Sequence, residues 1–167
     1  MRSFRLAPAF VFLCGFAILA ACGDQPTASR ANLSTPPTNR PFGESSNPAR
    51  TNVEELGLLV NVPYDAEDVV WKEFKDNGTL LAVIKFKSED AAKVVADAEK
   101  FGPSQPAVIS PEDWFPEELT AQSEMSGDNQ LKGLSYPANA LLGEAYKTGR
   151  ITRIDGTDFF VLEASTP

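Results

Sequence analysis

Histidine is absent from this chain of 167 residues, and cysteine occurs only at Cys14 and Cys22. Without histidine the chain cannot build a Ser-His-Asp or a Cys-His nucleophilic site, because both use an imidazole as the base. Zinc sites made from His and Cys are excluded for the same reason, since the chain lacks the ligands they need. Any catalysis would have to come from carboxylates, Lys, Tyr or Ser.

Basic residues are also scarce, because 15 Lys and Arg stand against 23 Asp and Glu, which gives a formal net charge of −8. A surface of that sign repels phosphate backbones and anionic headgroups, and no basic stripe in the sequence offsets it. The composition therefore argues against nucleic-acid binding. It favours a cationic partner, or a charge that serves solubility alone.

The most informative motif is Leu19-Ala20-Ala21-Cys22, at the end of a short apolar stretch that follows Arg2 and Arg5. This run resembles the lipobox of bacterial lipoproteins. The resemblance implies that residues 1–21 are a signal peptide and that the sulfur of Cys22 carries a diacylglyceryl group, usually joined by an acyl chain on the new amino terminus. Arg2 and Arg5 would be removed with the signal peptide, so the mature chain would have 13 basic and 23 acidic residues and a net charge of −10.

Three other interpretations of the N-terminus compete with a lipid anchor. A membrane-spanning helix is disfavoured, because Leu6 to Ala21 is interrupted by Pro8 and is shorter than the roughly 20 apolar residues that a span needs. Ordinary signal-peptide cleavage would release a soluble protein, and a cytosolic protein with an apolar N-terminus is the third alternative. The charged start, the short apolar core and Cys22 together favour the lipid anchor. Two or three acyl chains make such an anchor permanent.

Residues 22–50 are rich in Pro, Ser, Thr and Asn and contain almost no apolar side chain. Such a segment cannot bury enough surface to offset its ordering entropy, so we expect a flexible tether with a reach of about 30 Å. Gly23, rather than Asp, follows Cys22. By resemblance to Gram-negative lipoproteins this favours the outer membrane, facing the periplasm, if the cell has two membranes.

Residues 51–167 predict a single folded domain. Asn52 is expected to cap a short helix that ends before Pro63. A β-hairpin is predicted around Asp76-Asn77-Gly78. Its first strand, from Asp68 to Phe74, is rich in β-branched and aromatic residues, and its second, from Leu80 to Phe86, alternates between the two faces of a sheet. Ser88 is expected to cap an amphipathic helix that Gly102-Pro103 ends.

The second half of the domain predicts a second hairpin, with strands of about Arg150–Ile154 and Thr157–Ala164 joined by a tight turn at Asp155-Gly156. Tyr136 to Tyr146 is expected to form another short helix, and Thr120 to Gln130 a surface loop. Two hairpins separated by helices predict an α+β fold: a small antiparallel sheet built from two β-hairpins, with two to three short helices packed on one face.

Aromatic side chains are the candidate contact surface. Trp114 and Phe115 lie together in a Pro-rich acidic segment and are our candidates for partner binding; with Trp71 and Tyr136 they would form a platform for sugar rings or a peptide. Packing in the core is the simpler explanation, because a small domain needs large residues inside.

Acidic residues give weaker signals. Asp65, Glu67 and Asp68 lack the spacing of a calcium loop, so we expect a solvated loop there, and we expect no metal and no cofactor. Glu117 and Glu118 raise the alternative of a carboxylate-dependent hydrolase, which needs two acids across a cleft. Adjacent acids on a short helix are more often a solvated face.

The sequence thus predicts a lipid-anchored extracytoplasmic lipoprotein with a non-enzymatic binding or envelope-structural module. Its expected partners are the membrane, through Cys22, and an envelope protein or a cationic molecule. The alternative is a small lipid-anchored hydrolase of the cell envelope that uses carboxylates. The oligomeric state stays open.

Overall fold

The structure is a computed structural model that describes residues 48–167. The predicted signal peptide, the lipid site at Cys22 and all but the end of the predicted tether lie outside the described residues. Within residues 48–167 no helix is long and apolar enough to cross a membrane. The elements of this region are α1 (Val53–Gly57), β1 (Ala66–Phe74), β2 (Thr79–Phe86), α2 (Ser88–Glu99), β3 (Gln105–Ile109), α3 (Glu117–Ser126), β4 (Leu131–Pro137), β5 (Thr148–Ile154) and β6 (Phe159–Ser165).

The six strands form one antiparallel sheet in the order β1-β2-β6-β5-β4-β3. This confirms the predicted α+β class and the antiparallel sheet. Both predicted hairpins form, as β1-β2 and β5-β6, and β2 pairs with β6, so the hairpins lie side by side. The pair β4-β3 was not predicted and extends the sheet beyond β5.

Helices lie on both faces of the sheet. Successive residues of a strand point to opposite faces, and apolar residues occupy both of them. Val69 faces the core beneath α1 and α2, whereas Val70 faces the core beneath α3. On the first face Leu56 and Val94 anchor α1 and α2, as expected for two helices on one face. The third helix lies on the other face, anchored by the fully buried Leu119.

The cap of α1 is the predicted one, since the Asn52 side chain accepts a hydrogen bond from the backbone N–H of Glu55 at 3.0 Å. The cap of α2 is not. Ser88 already belongs to the helix, Lys87 occupies the cap position without a side-chain bond, and the Ser88 hydroxyl instead donates to the carboxylate of Asp158. A partner in the β5-β6 turn has replaced the local cap.

The predicted loop from Thr120 to Gln130 is wrong, because α3 runs through its first half. Only Leu119 and Ser123 of this helix are buried, so the sequence has no apolar stripe to reveal it. Packing of Leu119 holds the helix in place, and Gly127, with φ 79°, ends it in a left-handed conformation.

The predicted helix from Tyr136 to Tyr146 is also wrong. Tyr136 belongs to β4, and only one turn follows, in which the N–H of Leu141 donates to the carbonyl of Ala138 at 2.7 Å. These apolar side chains are buried in the same core as α2. They are buried as part of β4 and of the connection to β5. The spacing of apolar residues alone does not distinguish such a segment from a buried helix.

Candidate functional site

Trp114 and Phe115 occupy the segment that leads into α3, on the α3 face of the sheet. Their rings meet edge to face with centroids 4.9 Å apart. Phe115 is buried (5% exposed) and belongs to the core beneath α3, whereas Trp114 is half-buried. The ammonium group of Lys72 lies 5.5 Å from the centre of the Trp114 ring. Of the two residues, Trp114 is therefore the one with surface available to a partner.

The four aromatics do not form one platform. Trp71 is fully buried and Tyr136 is 5% exposed, and both belong to the core beneath α1 and α2, on the opposite face from Phe115. The indole N–H of Trp71 donates to the carbonyl of Asn52 at 3.2 Å. Core packing, the simpler alternative, is what the structure shows for these two residues.

A concave pocket of about 570 Å³ opens on the part of the sheet that α3 leaves uncovered. It runs across β1, β2, β6 and β5, and the segment before α3 borders it. This volume lies within the range of small-molecule sites in proteins, roughly 300 to 1,000 Å³. The lining side chains on which the chemistry depends are Phe74, Leu81, Glu112, Thr148, Arg150 and Glu163.

Cross-strand pairs form the polar part of this pocket. Arg150 on β5 lies directly opposite Glu163 on β6, and its guanidinium donates two hydrogen bonds to that carboxylate, at 2.5 and 3.1 Å. Two residue pairs further along, on the same face, the hydroxyls of Thr148 and Ser165 lie 2.7 Å apart. The two pairs form a ladder of fixed polar groups along β5 and β6.

Apolar surface and one further charge complete the pocket. Phe74 is 38% exposed and Leu81 is half-buried, so β1 and β2 offer apolar contact area. Hydrogen bonds from the Arg150 guanidinium to Glu163 raise the pKa of Arg150. Since those two charges balance, the exposed carboxylate of Glu112 leaves the pocket with a net negative charge.

The acidic candidates from the sequence do not assemble into a second site. Within residues 48–167, no group of three or more Asp, Glu, His or Cys side chains is placed to hold a metal ion. Glu118 lies 3.9 Å from Lys85, and 65% of its side chain is exposed. Over the same residues the one buried acid is Asp90, which accepts from Lys93 at 2.6 Å.

Sequence reasoning missed the pocket because the predicted two-residue turn shifts the β5-β6 pairing by two residues. A two-residue turn at Asp155-Gly156 would set Arg150 opposite Val161. The actual loop has four residues: the Thr157 hydroxyl donates to the carbonyl of Ile154 at 3.0 Å and accepts from the N–H of Phe159 at 3.1 Å. The one signal in the sequence for the pairing of Arg150 with Glu163 is their opposite charge.

The chain matches no protein-family model, no curated protein and no solved structure.

Proposed function

We propose that this chain is a lipid-anchored extracytoplasmic lipoprotein and that its folded domain is a non-enzymatic binding module. The lipobox-like run that ends at Cys22 supports the anchor. By the same resemblance, if the cell has two membranes, Gly23 favours the outer membrane, with the domain facing the periplasm. The pocket on the uncovered sheet face is the observation that carries the binding function.

The lining of the pocket limits the kind of partner that would fit it. Phe74 and Leu81 give apolar contact, and the Arg150–Glu163 pair supplies fixed donors and acceptors without adding net charge. Glu112 adds a single negative charge at one side. An anionic ligand would meet that charge and the field of an acidic chain, so a neutral or cationic partner fits better.

The same geometry gives little support to the hydrolase alternative. A general acid needs a carboxyl group that its surroundings keep protonated at neutral pH, beside a second acid that stays ionised. In the pocket, Glu163 is hydrogen-bonded to a guanidinium and Glu112 is exposed to water. Neither carboxyl group lies in the enclosed apolar setting that such an acid needs.

The anchor is tested by substituting Cys22→Ala and fractionating the cells. We expect the native chain in the membrane fraction, and specifically in the outer membrane if the cell has two membranes. We expect the variant as an unprocessed precursor or in a soluble fraction. A Cys22→Ala chain that stays in the same membrane fraction, with its N-terminus cleaved as before, would contradict lipid attachment.

The binding site is tested in cells by placing a photo-reactive side chain at position 74, in the pocket, with a second probe at position 114. Leu58, which is 86% exposed on α1, is the matched control position. We expect one discrete adduct from position 74, reduced by Glu163→Gln, and none from position 58. The same adducts from both positions, unaffected by Glu163→Gln, would show that the pocket is not the binding site.

A further inference from the structure

The turn between β1 and β2 contains Asn77-Gly78, the only Asn-Gly pair in the sequence. An asparagine before glycine is open to attack on its side-chain amide by the backbone nitrogen that follows it, because glycine has no Cβ to shield that nitrogen. Asn77 is exposed, so water reaches its side chain. The pair therefore meets the first requirement for a spontaneous change of the amide.

The fold requires glycine at position 78. Its φ is 63°, and a Cβ placed there would overlap the hydroxyl of Thr166. The N–H of Thr166 also donates to the carbonyl of Gly78 at 2.8 Å, which ties the turn to the chain that follows β6. A larger residue cannot replace Gly78 without displacing this contact, so the Asn-Gly pair is built into the turn.

The side chain of Asn77 is folded forward over the Gly78 peptide. Its Oδ1 accepts a hydrogen bond from the Thr79 hydroxyl at 2.6 Å, which directs the carboxamide towards the side on which the Gly78 nitrogen lies. The Gly78 N–H is bound loosely, since it donates to the carbonyl of Lys75 at 3.4 Å. A good bond of this kind is no longer than about 3.2 Å. The Thr79 hydroxyl also stabilises the negative charge that develops on Oδ1 when Cγ is attacked.

We propose that Asn77 is a site of spontaneous deamidation through a cyclic imide. The Gly78 nitrogen gives up its proton to base and forms a bond to Cγ of Asn77, and the bond from Cγ to the side-chain nitrogen breaks. That nitrogen takes up a proton and leaves as ammonia. Water then opens the imide at either of its carbonyl groups and leaves an aspartyl or an isoaspartyl residue at position 77. The reaction consumes water and releases ammonia, and it needs no oxidant or reductant.

Deamidation changes the pocket, because Asn77 is one of its lining residues. A neutral amide becomes a carboxylate, which adds to the charge of Glu112 in the same pocket. The isoaspartyl product also routes the backbone through its side-chain carbon, beside the hydrogen bond between Thr166 and Gly78. The pocket thus becomes more negative as the protein ages. The modification itself depends neither on the lipid anchor nor on the binding function.

The test uses the purified full-length chain, incubated in its folded state at neutral and at mildly alkaline pH. Cleavage at lysine then releases residues 76–85, in which Asn77 is the only side-chain amide. We expect this peptide to gain the mass difference between NH2 and OH, in two products of equal mass that chromatography separates. The rate should rise with pH, because the Gly78 nitrogen must lose its proton. A sample cleaved before incubation corrects for reaction during the digestion.

Asn139 is the matched internal control, because it is also exposed but is followed by alanine. It should keep its amide over the same interval, and so should the Asn77→Gln variant, which can close only a larger ring. A folded native chain that keeps the amide at position 77 while the urea-unfolded chain loses it would overturn the proposal. A single aspartyl product, or an Asn139 that reacts as fast, would overturn it too.

Two substitutions at Thr79 test the geometry of the turn. Thr79→Val removes the hydroxyl and should slow deamidation of the folded chain about fivefold, the effect on a rate of losing one hydrogen bond. Thr79→Ser keeps the hydroxyl and should react like the native chain. In urea both variants should react alike, because the bond to Asn77 belongs to the folded state. A folded Thr79→Val chain that deamidates at the native rate would contradict the role of the hydroxyl.

Discussion

Arg150 and Glu163 face each other across β5 and β6, and two hydrogen bonds join the guanidinium to the carboxylate inside the open pocket. The pairing depends on the four-residue loop that starts at Asp155, because a shorter turn would place Val161 opposite Arg150. The chemistry of the pocket is therefore fixed by a turn that does not touch it.

A double-mutant cycle measures this pair. We expect Arg150→Gln and Glu163→Gln each to lower the free energy of unfolding by about 0.5 to 1 kcal/mol, because the pair is bidentate but partly exposed. The double variant should lose less than the sum of the two. Urea unfolding at low and high salt supplies the measurement. A coupling energy of zero at low salt, or one that grows with salt, would contradict an ion pair.

The two hairpins could be predicted because their signals are local. The turn at Asn77-Gly78 and the β-branched, aromatic and apolar residues around it identify β1 and β2, and Asp155-Gly156 identifies the end of β5. The register of the second hairpin depended on a hydroxyl bond of Thr157, which composition does not reveal. The strand β3 and the helix α3 depended on partners far away in sequence, since only Leu119 and Ser123 of α3 and Ile109 of β3 are buried.

Alanine substitutions separate the core role of Phe115 from the exposed position of Trp114. Phe115→Ala should lower the free energy of unfolding by about 3 to 5 kcal/mol, because it empties a buried site. Trp114→Ala should cost about 1 to 2 kcal/mol, since part of the ring already contacts water. Thermal and urea unfolding of the two variants provide the comparison. Equal costs would mean that Trp114 is as much a core residue as Phe115.

These two residues also show how far a site can be predicted from sequence. The sequence shows that Trp114 and Phe115 are adjacent and lie in an acidic, Pro-rich segment. It does not show which of the two rings points into the core and which lies at the surface. The pocket residues Phe74 and Arg150 carry no motif at all, because they become neighbours only when β1, β2, β6 and β5 align.

Tyr146 makes the stability of the domain sensitive to alkaline pH. Burial, followed by the charge of Glu73 and a 3.4 Å hydrogen bond to it, raises the pKa of Tyr146 to about 12. The protonated phenol is thus favoured in the folded state, so its contribution is complete below pH about 10 and is lost as the pH rises towards about 12. Unfolding free energies measured over that interval should fall more steeply for the native chain than for Tyr146→Phe. Parallel slopes would contradict the shift.

Thr152 lies on β5 next to Arg150 in the side-chain alternation, on the same face of the sheet, and is fully buried. Its hydroxyl is the one buried side-chain polar atom of residues 48–167 that has no hydrogen-bond partner. Burying an unpaired hydroxyl costs about 1 to 3 kcal/mol, so Thr152→Val, which has nearly the same shape, should raise the free energy of unfolding by about 1 kcal/mol or more.

Thr152→Ser is the matched control for this substitution, because it keeps the hydroxyl and removes a buried methyl group. We expect it to lower the free energy of unfolding by about 1 kcal/mol, as for other single-methyl deletions in a core. Urea unfolding of the two variants beside the native chain gives opposite signs if the hydroxyl is unsatisfied. A destabilised Thr152→Val chain would mean instead that the hydroxyl has a partner, and the face of β5 that extends from Arg150 would then be polar further into the core.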